Sequence, residues 1–451
     1  MLHNISFSKK RGKTSLFDLI GVLFFIFSSI FFNLGFDFGS NTYYDIYRIV
    51  QIFLPFLILI TLFKKIEFSK TTLLFFTTIL FTLLFQFSAY DIFQLQDLLM
   101  WLMLFLSFIF LKSVYKESNY NLYFIWLLGA LSTLSCFFIF LSIFNLLIHN
   151  QWFDWQLNGG SLRVYDSILV CNFWLLTYVY SKKDLVINKL YYFLVFFIFL
   201  GVFFDGARSA FLSISLPLVI LLFYRDYRNQ LLKTALMGCC AFLLYKTTSF
   251  VHAFYWESTQ KLIEINRFSS SGRIEMWTFM FQEWLKQPLN GLGGGYLAKI
   301  DYPIAHHAHN VVLRLIFEWG WLGSLVLLWL LIRLKTFFCS NTHIVLKIGV
   351  IGLLIDGLLS GMFIYPVTQM MSVLFLAVAL SDQQQIYTTN WRTKYSKALL
   401  IGFIGLYTFL IYQYFYIDLV CLDCSSQTGT SWPYFWQYGS SEHLTQNHLN
   451  Q

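Results

Sequence analysis

Runs of about 20 mostly apolar residues, each closed by a short charged knot, recur along the chain, and a run of that length is what an α-helix needs to cross a bilayer. This recurrence leaves little choice of fold. Lipid offers backbone amides no water to bond, so a chain built this way spans as helices whose hydrogen bonds are internal. The expected spans are 16–35, 44–63, 71–90, 92–112, 122–148, 163–181, 189–205, 208–224, 231–249, 309–332, 346–364, 366–381 and 398–417. The fold class that follows is all-α, a polytopic integral membrane protein with about 12–13 transmembrane helices. Composition excludes an ordinary soluble domain: 12% of the residues are charged and 57% hydrophobic, where soluble domains carry about a quarter charged residues.

The formal charge of +8 does not mark a nucleic-acid binder, because the basic residues share no face. They fall in the knots 9–13, 64–70, 112–116, 182–189, 225–233, 333–347 and 392–397, which hold 21 of the 31 Lys and Arg. With the N-terminus inside, every one of these lies on the cytoplasmic side, as the positive-inside rule requires. The short turns near Asp37, Asp91 and Asp154 then face out, together with the long loop 250–308 and the tail 418–451. The chain divides accordingly into N-terminal helices (1–249), an outer loop (250–308), C-terminal helices (309–417) and a short outer tail (418–451). No cleavable signal peptide is expected, since the apolar run after Lys9, Lys10 and Arg11 is too long and lacks a small-residue cleavage site. Cys136, Cys171, Cys239, Cys240 and Cys339 lie in or beside apolar stretches, where cysteine behaves as a small hydrophobe. Cys421 and Cys424 form either a disulfide in an oxidising outer compartment or two free thiols.

The long polar interruption runs from Ser269 to Gly323. Ile274, Trp277, Phe281 and Trp284 recur at helical spacing between an N-cap at Ser271 and a stop at Pro288, which predicts an amphipathic helix lying in the membrane interface. Arg273 falls in its first turn, either solvated or facing a ligand. The run Gly291-Leu-Gly-Gly-Gly295 lacks the Gly-Lys-Ser/Thr ending of a phosphate loop and reads as a flexible turn. His309-Asn310 opens the next span, where the positive end of a helix favours an uncharged imidazole able to accept a proton. His306, His307 and His309 lack the i, i+4 spacing of helical zinc sites, so no metal is expected. Arg314 and Glu318 stand one turn apart within that span, either a self-neutralising pair or functional groups. Arg208, in Asp205-Gly-Ala-Arg-Ser-Ala210, sits at the outer end of another span; its anionic partner is either Asp205 or a substrate. Arg163 joins the same outer layer.

Guanidinium groups grip phosphate oxygens in bidentate fashion, so several arginines and a neutral histidine at the outer surface suit a lipid-linked pyrophosphate. No nucleotide is available on that side, and the energy for group transfer has to arrive on the lipid. Two readings from other classes were weighed: a transporter or flippase of lipid-linked sugars, and a structural scaffold. Transport predicts basic residues along a midplane cavity and internal repeats, and neither is evident. A scaffold leaves the outer Arg/His layer without a purpose.

Gly272-Arg273, Trp277, Pro288-Leu289, the glycine run, and His309-Asn310 followed after nine residues by Gly320-x-x-Gly323 resemble the O-antigen ligase and polymerase superfamily. Gly206-Ala-Arg208-Ser-Ala210 resembles that family's small-Arg-small motif, and the similarity covers roughly residues 195–380. The resemblance implies an inverting, metal-independent glycosyltransferase without a cofactor, in a bacterial inner membrane with its site facing the periplasm. Its donor would be an undecaprenyl-pyrophosphate-linked glycan, and its acceptor lipid A core (ligase), a growing glycan (polymerase) or a protein hydroxyl (O-oligosaccharyltransferase). By motif, Arg208 and Arg273 would bind the pyrophosphate, and His309 would act as base or orient the acceptor. Asn310, Arg314, Glu318 and Arg163 would support them. The stretch from Asp356-Gly357 to Tyr365-Pro366 resembles a later family segment to which no role is assigned.

Overall fold

The computed structural model describes residues 48, 51–61, 68–86, 91–115, 119–152, 162–182, 188–256, 272–300, 302–381 and 390–417. The main helices are α1 (Lys70–Gln86), α2 (Ile92–Val114), α3 (Asn119–Leu134), α4 (Ile139–His149), α5 (Leu162–Ser181), α6 (Asn188–Phe204) and α7 (Arg208–Leu221). After them come α8 (Arg228–Trp256), α9 (Arg273–Trp284), the single turn α10 (Tyr296–Lys299), α11 (Val311–Phe338), α12 (Ile344–Leu359), α13 (Pro366–Ser381) and α14 (Asn390–Ile417). No strand occurs among the described residues. The protein is an all-α, multi-pass membrane protein. The span expected at 16–35, the tail 418–451 and the Cys421/Cys424 pair lie outside the described residues.

Among the described residues, five helices are long and apolar enough to cross a bilayer: Phe93–Val114, Asn121–His149, Arg225–Trp256, Val311–Phe338 and Lys394–Gln413. Shorter apolar helices lie at Lys70–Leu84, Asn188–Phe204, Arg208–Leu221 and Pro366–Ser381. α5 is not among the five although it is 20 residues long, and its side chains show why. It carries Asp166, Ser167, Asn172 and Thr177, all buried, and packs against α3, α6, α7, α12 and α13. A helix walled off from lipid by its neighbours has no need of an apolar surface. The run 122–148 is likewise two helices, α3 and α4, joined by a 3-10 turn at Ser135–Phe138. There Thr133 and Ser135 hydroxyls donate to the Gly129 and Ser132 carbonyls at 2.6 and 2.8 Å, back-bonding that bends helices.

The connections sort into two sets. At one end Lys299 pairs with Asp91 at 2.6 Å, His252 meets Asn150 at 2.8 Å, and the Trp256 indole donates to the Leu147 carbonyl at 3.0 Å. At the other, Arg333 donates to Ser69 at 3.0 Å, the Phe68 amide to Ser396 at 2.9 Å, and His343 meets Ser181 at 3.3 Å. Each contact joins connections that the charge pattern puts on one side.

The amphipathic helix α9 forms as expected and begins at Arg273, but its packed side is only in part the expected one. Met276 and Met280 are its buried residues, whereas Ile274 is 62% exposed and Phe281 45%. Its cap is Gly272, at φ 75°. The Trp277 indole donates to the Ala308 carbonyl at 2.6 Å, so α9 lies on the segment that carries the histidines.

Candidate active site

α11 is where the expected single span gives way. Gly320 adopts φ 51°, ψ −127° inside it, which ends one helix after Trp319 and starts another. The break frees backbone groups, and the glycine run pairs with them. Leu292 and Gly293 amides donate to the Phe317 and Glu318 carbonyls at 2.8 and 2.9 Å, and the Trp321 amide donates to the Leu289 carbonyl at 2.9 Å. Non-helical backbone survives at membrane depth only where protein satisfies it, and here the loop does so. A Cβ on Gly320 would lie 2.6 Å from the Gly291 amide nitrogen and collide with the Leu289 carbonyl; one on Gly291 would lie 2.6 Å from the Gly320 nitrogen. Residues 291–295 are buried. The flexible turn read from the glycines is therefore a packed plug.

The plug and the first half of α11 enclose a charged knot. Arg314, 2% exposed, pairs with Asp97 of α2 and through Nε with Glu318 at 3.3 Å. Glu318 also accepts from the Gly295 amide at 3.2 Å. The Trp319 and Trp101 indoles donate to Asp97 at 2.7 and 3.2 Å, and the guanidinium lies 5.2 Å from the Trp101 ring centre. Arg314 and Glu318 are thus neither self-sufficient nor solvated: a third residue from the N-terminal half completes the ion pairing.

Above the knot, Asn310 caps α11, its side chain accepting from the Val312 and Leu313 amides at 3.0 Å each. His309 precedes the cap with φ 49°, is buried, and donates its amide to His307 Nδ1 at 3.2 Å. The two imidazoles stand 3.8 Å apart between ring centres. Among the described residues, no three His, Cys, Asp or Glu side chains gather in a way that could hold a metal ion. His309, Asn310, Val311 and Arg314 line one wall of a small cleft, and Gly357, Ser360, Gly361, Phe363 and Ile364 the other.

That second wall follows α12. The Arg273 guanidinium donates to the Leu359 carbonyl at 2.7 Å, which brings α9 to its rim. Buried Asp356 accepts from Ser167 of α5 at 2.5 Å and from Ser360 at 2.9 Å; Ser209 approaches it too, and the Arg273 charge acts on it. Ser209 is the neighbour of Arg208, the first residue of α7. Asp356 therefore ties both arginine motifs to one carboxylate. From below, buried Arg48 donates to Gln369 at 2.7 Å and to the Ile364 carbonyl at 3.0 Å, and Gln369 donates to the Phe363 carbonyl at 2.8 Å. This network fixes the non-helical backbone between α12 and α13.

Residues 193–328 match the family model described as O-antigen ligase. Over that region the chain is similar to the O-antigen ligase family. No curated protein and no solved structure matches it. The matched region contains Arg208, Arg273, His309, Asn310, Arg314 and Glu318. The structure gathers His309, Asn310 and Arg314 in one pocket and brings Arg273 to its edge, with Arg208 linked through Ser209 and Asp356. Arg163 is in the first turn of α5, and its side chain lies outside the described residues. Asp97, Ser167, Asp356, Ser360 and Tyr365 all fall outside the matched region, and sequence reasoning gave none of them a role. The one available signal was ionisable residues within apolar runs, which marks Asp97 and Asp356 but not their partners.

Proposed function

We propose that the protein transfers a glycan from an undecaprenyl-pyrophosphate carrier to an acceptor hydroxyl on the periplasmic face, in the manner of an O-antigen ligase. The observation that carries this reading is the pocket in which His309, at the start of a helix, faces the Ser360–Ile364 wall with the Arg273 guanidinium anchored at its rim. The domain division fits it: N-terminal helices to 249 supply Arg208, the outer loop 250–308 supplies Arg273, and the C-terminal helices to 417 supply His309.

In the proposed step the acceptor oxygen attacks the anomeric carbon from the face opposite the carrier. Its proton passes to the neutral imidazole of His309. The bond from the anomeric carbon to the pyrophosphate oxygen breaks, its electron pair leaves with the lipid pyrophosphate, and configuration inverts. Arg208 and Arg273 hold that pyrophosphate and take up its growing charge, the part a metal plays in other transferases. Asn310 keeps the helix end in place. Arg314 and Glu318 support the floor, and Arg163 belongs to the same outer layer.

The acceptor defines three branches: lipid A core, a growing glycan, or a protein hydroxyl. Comparing glycans of a deletion strain with its parent separates them. Loss of capped lipopolysaccharide, collapse to one repeat unit, and loss of glycoprotein are the respective outcomes. Removing a general base typically costs about 10²–10⁴-fold. His309→Ala is therefore expected to abolish detectable transfer while inserting normally, as followed by consumption of labelled lipid-linked donor in membranes. Transfer retained by that variant removes the base assignment. Arg208→Lys is expected to be inactive as well, because an ammonium has no two-pronged grip; wild-type rates in the same assay would make Arg208 structural.

A further inference from the structure

His309 is held in a left-handed backbone conformation, φ 49°, which residues with a Cβ avoid because the Cβ crowds the carbonyl. Something has to maintain it, and the contacts around His307 identify what does. The His309 amide donates to His307 Nδ1 at 3.2 Å. A ring nitrogen that accepts from an amide carries no proton, so in the neutral imidazole the proton is on Nε2. His307 Nε2 faces the Tyr365 hydroxyl at 3.4 Å, with the two rings edge to face, 5.8 Å between centres. His307 is buried to 2% exposure and Tyr365 to 6%. Gly361 makes room for both: a Cβ there would come within 2.6 Å of the Tyr365 ring and 3.0 Å of the His307 ring. Tyr365 is itself fixed, because it directly precedes α13 and the Arg48–Gln369 network secures the carbonyls of Phe363 and Ile364.

We propose that His307 is a positioning residue: through Nδ1 it sets the backbone of His309, and Tyr365 fixes its tautomer by accepting a hydrogen bond from Nε2–H. The order is Tyr365 hydroxyl, His307 ring, His309 backbone, with only His309 reaching the substrate. This rests on the reading of His309 given above. It also explains why the two histidines sit two residues apart: the intervening Ala308 is wholly buried and its carbonyl is taken by Trp277, which anchors the turn between them.

Side-chain isosteres test the order. The Oδ1 of asparagine occupies the position of His Nδ1, whereas the amide of glutamine reaches only the position of Nε2. Full-length variants are compared in native membranes, which carry the cell's own acceptor, by consumption of radiolabelled undecaprenyl-pyrophosphate-linked glycan, with the amount of folded protein measured in parallel. His307→Ala and His307→Gln are expected to lower the saturated rate by about 10²-fold, the order expected for a misplaced reacting group, while the donor concentration for half-saturation stays near that of the wild type. His307→Asn is expected to recover the rate to within about tenfold, with Tyr365→Phe between the extremes. Equal loss in all three His307 variants, or a wild-type rate in His307→Ala, overturns the proposal. If His307→Ala does not insert, the His307→Asn to His307→Gln ratio and Tyr365→Phe decide: a ratio near one together with a fully active Tyr365→Phe overturns it. An active His309→Ala removes the function reading beneath; an inactive His309→Ala beside a fully active His307→Ala removes only the positioning role.

Discussion

Arg314 and Arg273 stand at two edges of one pocket and are held in opposite ways. Arg314 is sealed in: two carboxylates accept from it and an indole lies alongside. Arg273 is half-buried and donates to the Leu359 carbonyl at 2.7 Å. A guanidinium that already faces two carboxylates has little left for a phosphate. One that is half-buried at the rim stands where a ligand can reach it. The contrast separates a cation that builds the pocket from one placed to use it, although both occur in the same polar stretch of sequence.

The strongest test of that contrast is Arg314→Met. It leaves Asp97 and Glu318 buried without their cation, and breaking such a pair typically costs about 3–5 kcal/mol. The detergent-solubilised variant should melt well below the wild type and accumulate poorly. A variant with normal melting that loses transfer alone would make Arg314 a ligand contact and erase the distinction. Next in size is Arg273→Ala, expected to lower the transfer rate by about 10²–10³-fold, the range seen when one transition-state donor is removed. Here the melting temperature should hardly change, since the bond lost is to a rim carbonyl; a drop matching that of Arg314→Met would put both arginines in one structural class. The smallest effect is expected from Lys299→Ala. Its ion pair with Asp91 is exposed, with the lysine side chain 50% accessible, and such pairs contribute about 1 kcal/mol or less. A larger shift in melting would mean that the outer loop is clamped at α10 and not by the plug alone.

The reacting end of the pocket was legible in the sequence. His309-Asn310 reads as a helix start because asparagine is a strong cap, and Arg273 reads as a first-turn residue because a Trp-rich periodicity follows it. The supports were not legible. Asp97 meets Arg314 across 217 residues, and Ser167 meets Asp356 across 189, so no local spacing announces either. The glycine run was misjudged for a related reason. Glycine permits both a loose turn and a tight fit, and only the break at Gly320, far along the chain, decides between them. The helix from Arg273 was legible and its packed side only in part: Trp277 and Trp284 pack as the periodicity implies, whereas Met276 and Met280 are buried in place of Ile274 and Phe281.

Helix α5 has a consequence for how the protein is made. Its Ser167 meets Asp356 and Ser360, and its Cys171 meets Ser372, only once α12 and α13 close over it, and those helices are translated after everything from α6 to α11. At a synthesis rate of about 5–20 residues per second, the ribosome needs roughly ten to forty seconds to deliver them. Throughout that interval a segment too polar for hydrocarbon has to wait beside α3 or in the care of the insertion machinery, so this protein's assembly in the membrane is a matter of timing as well as of affinity.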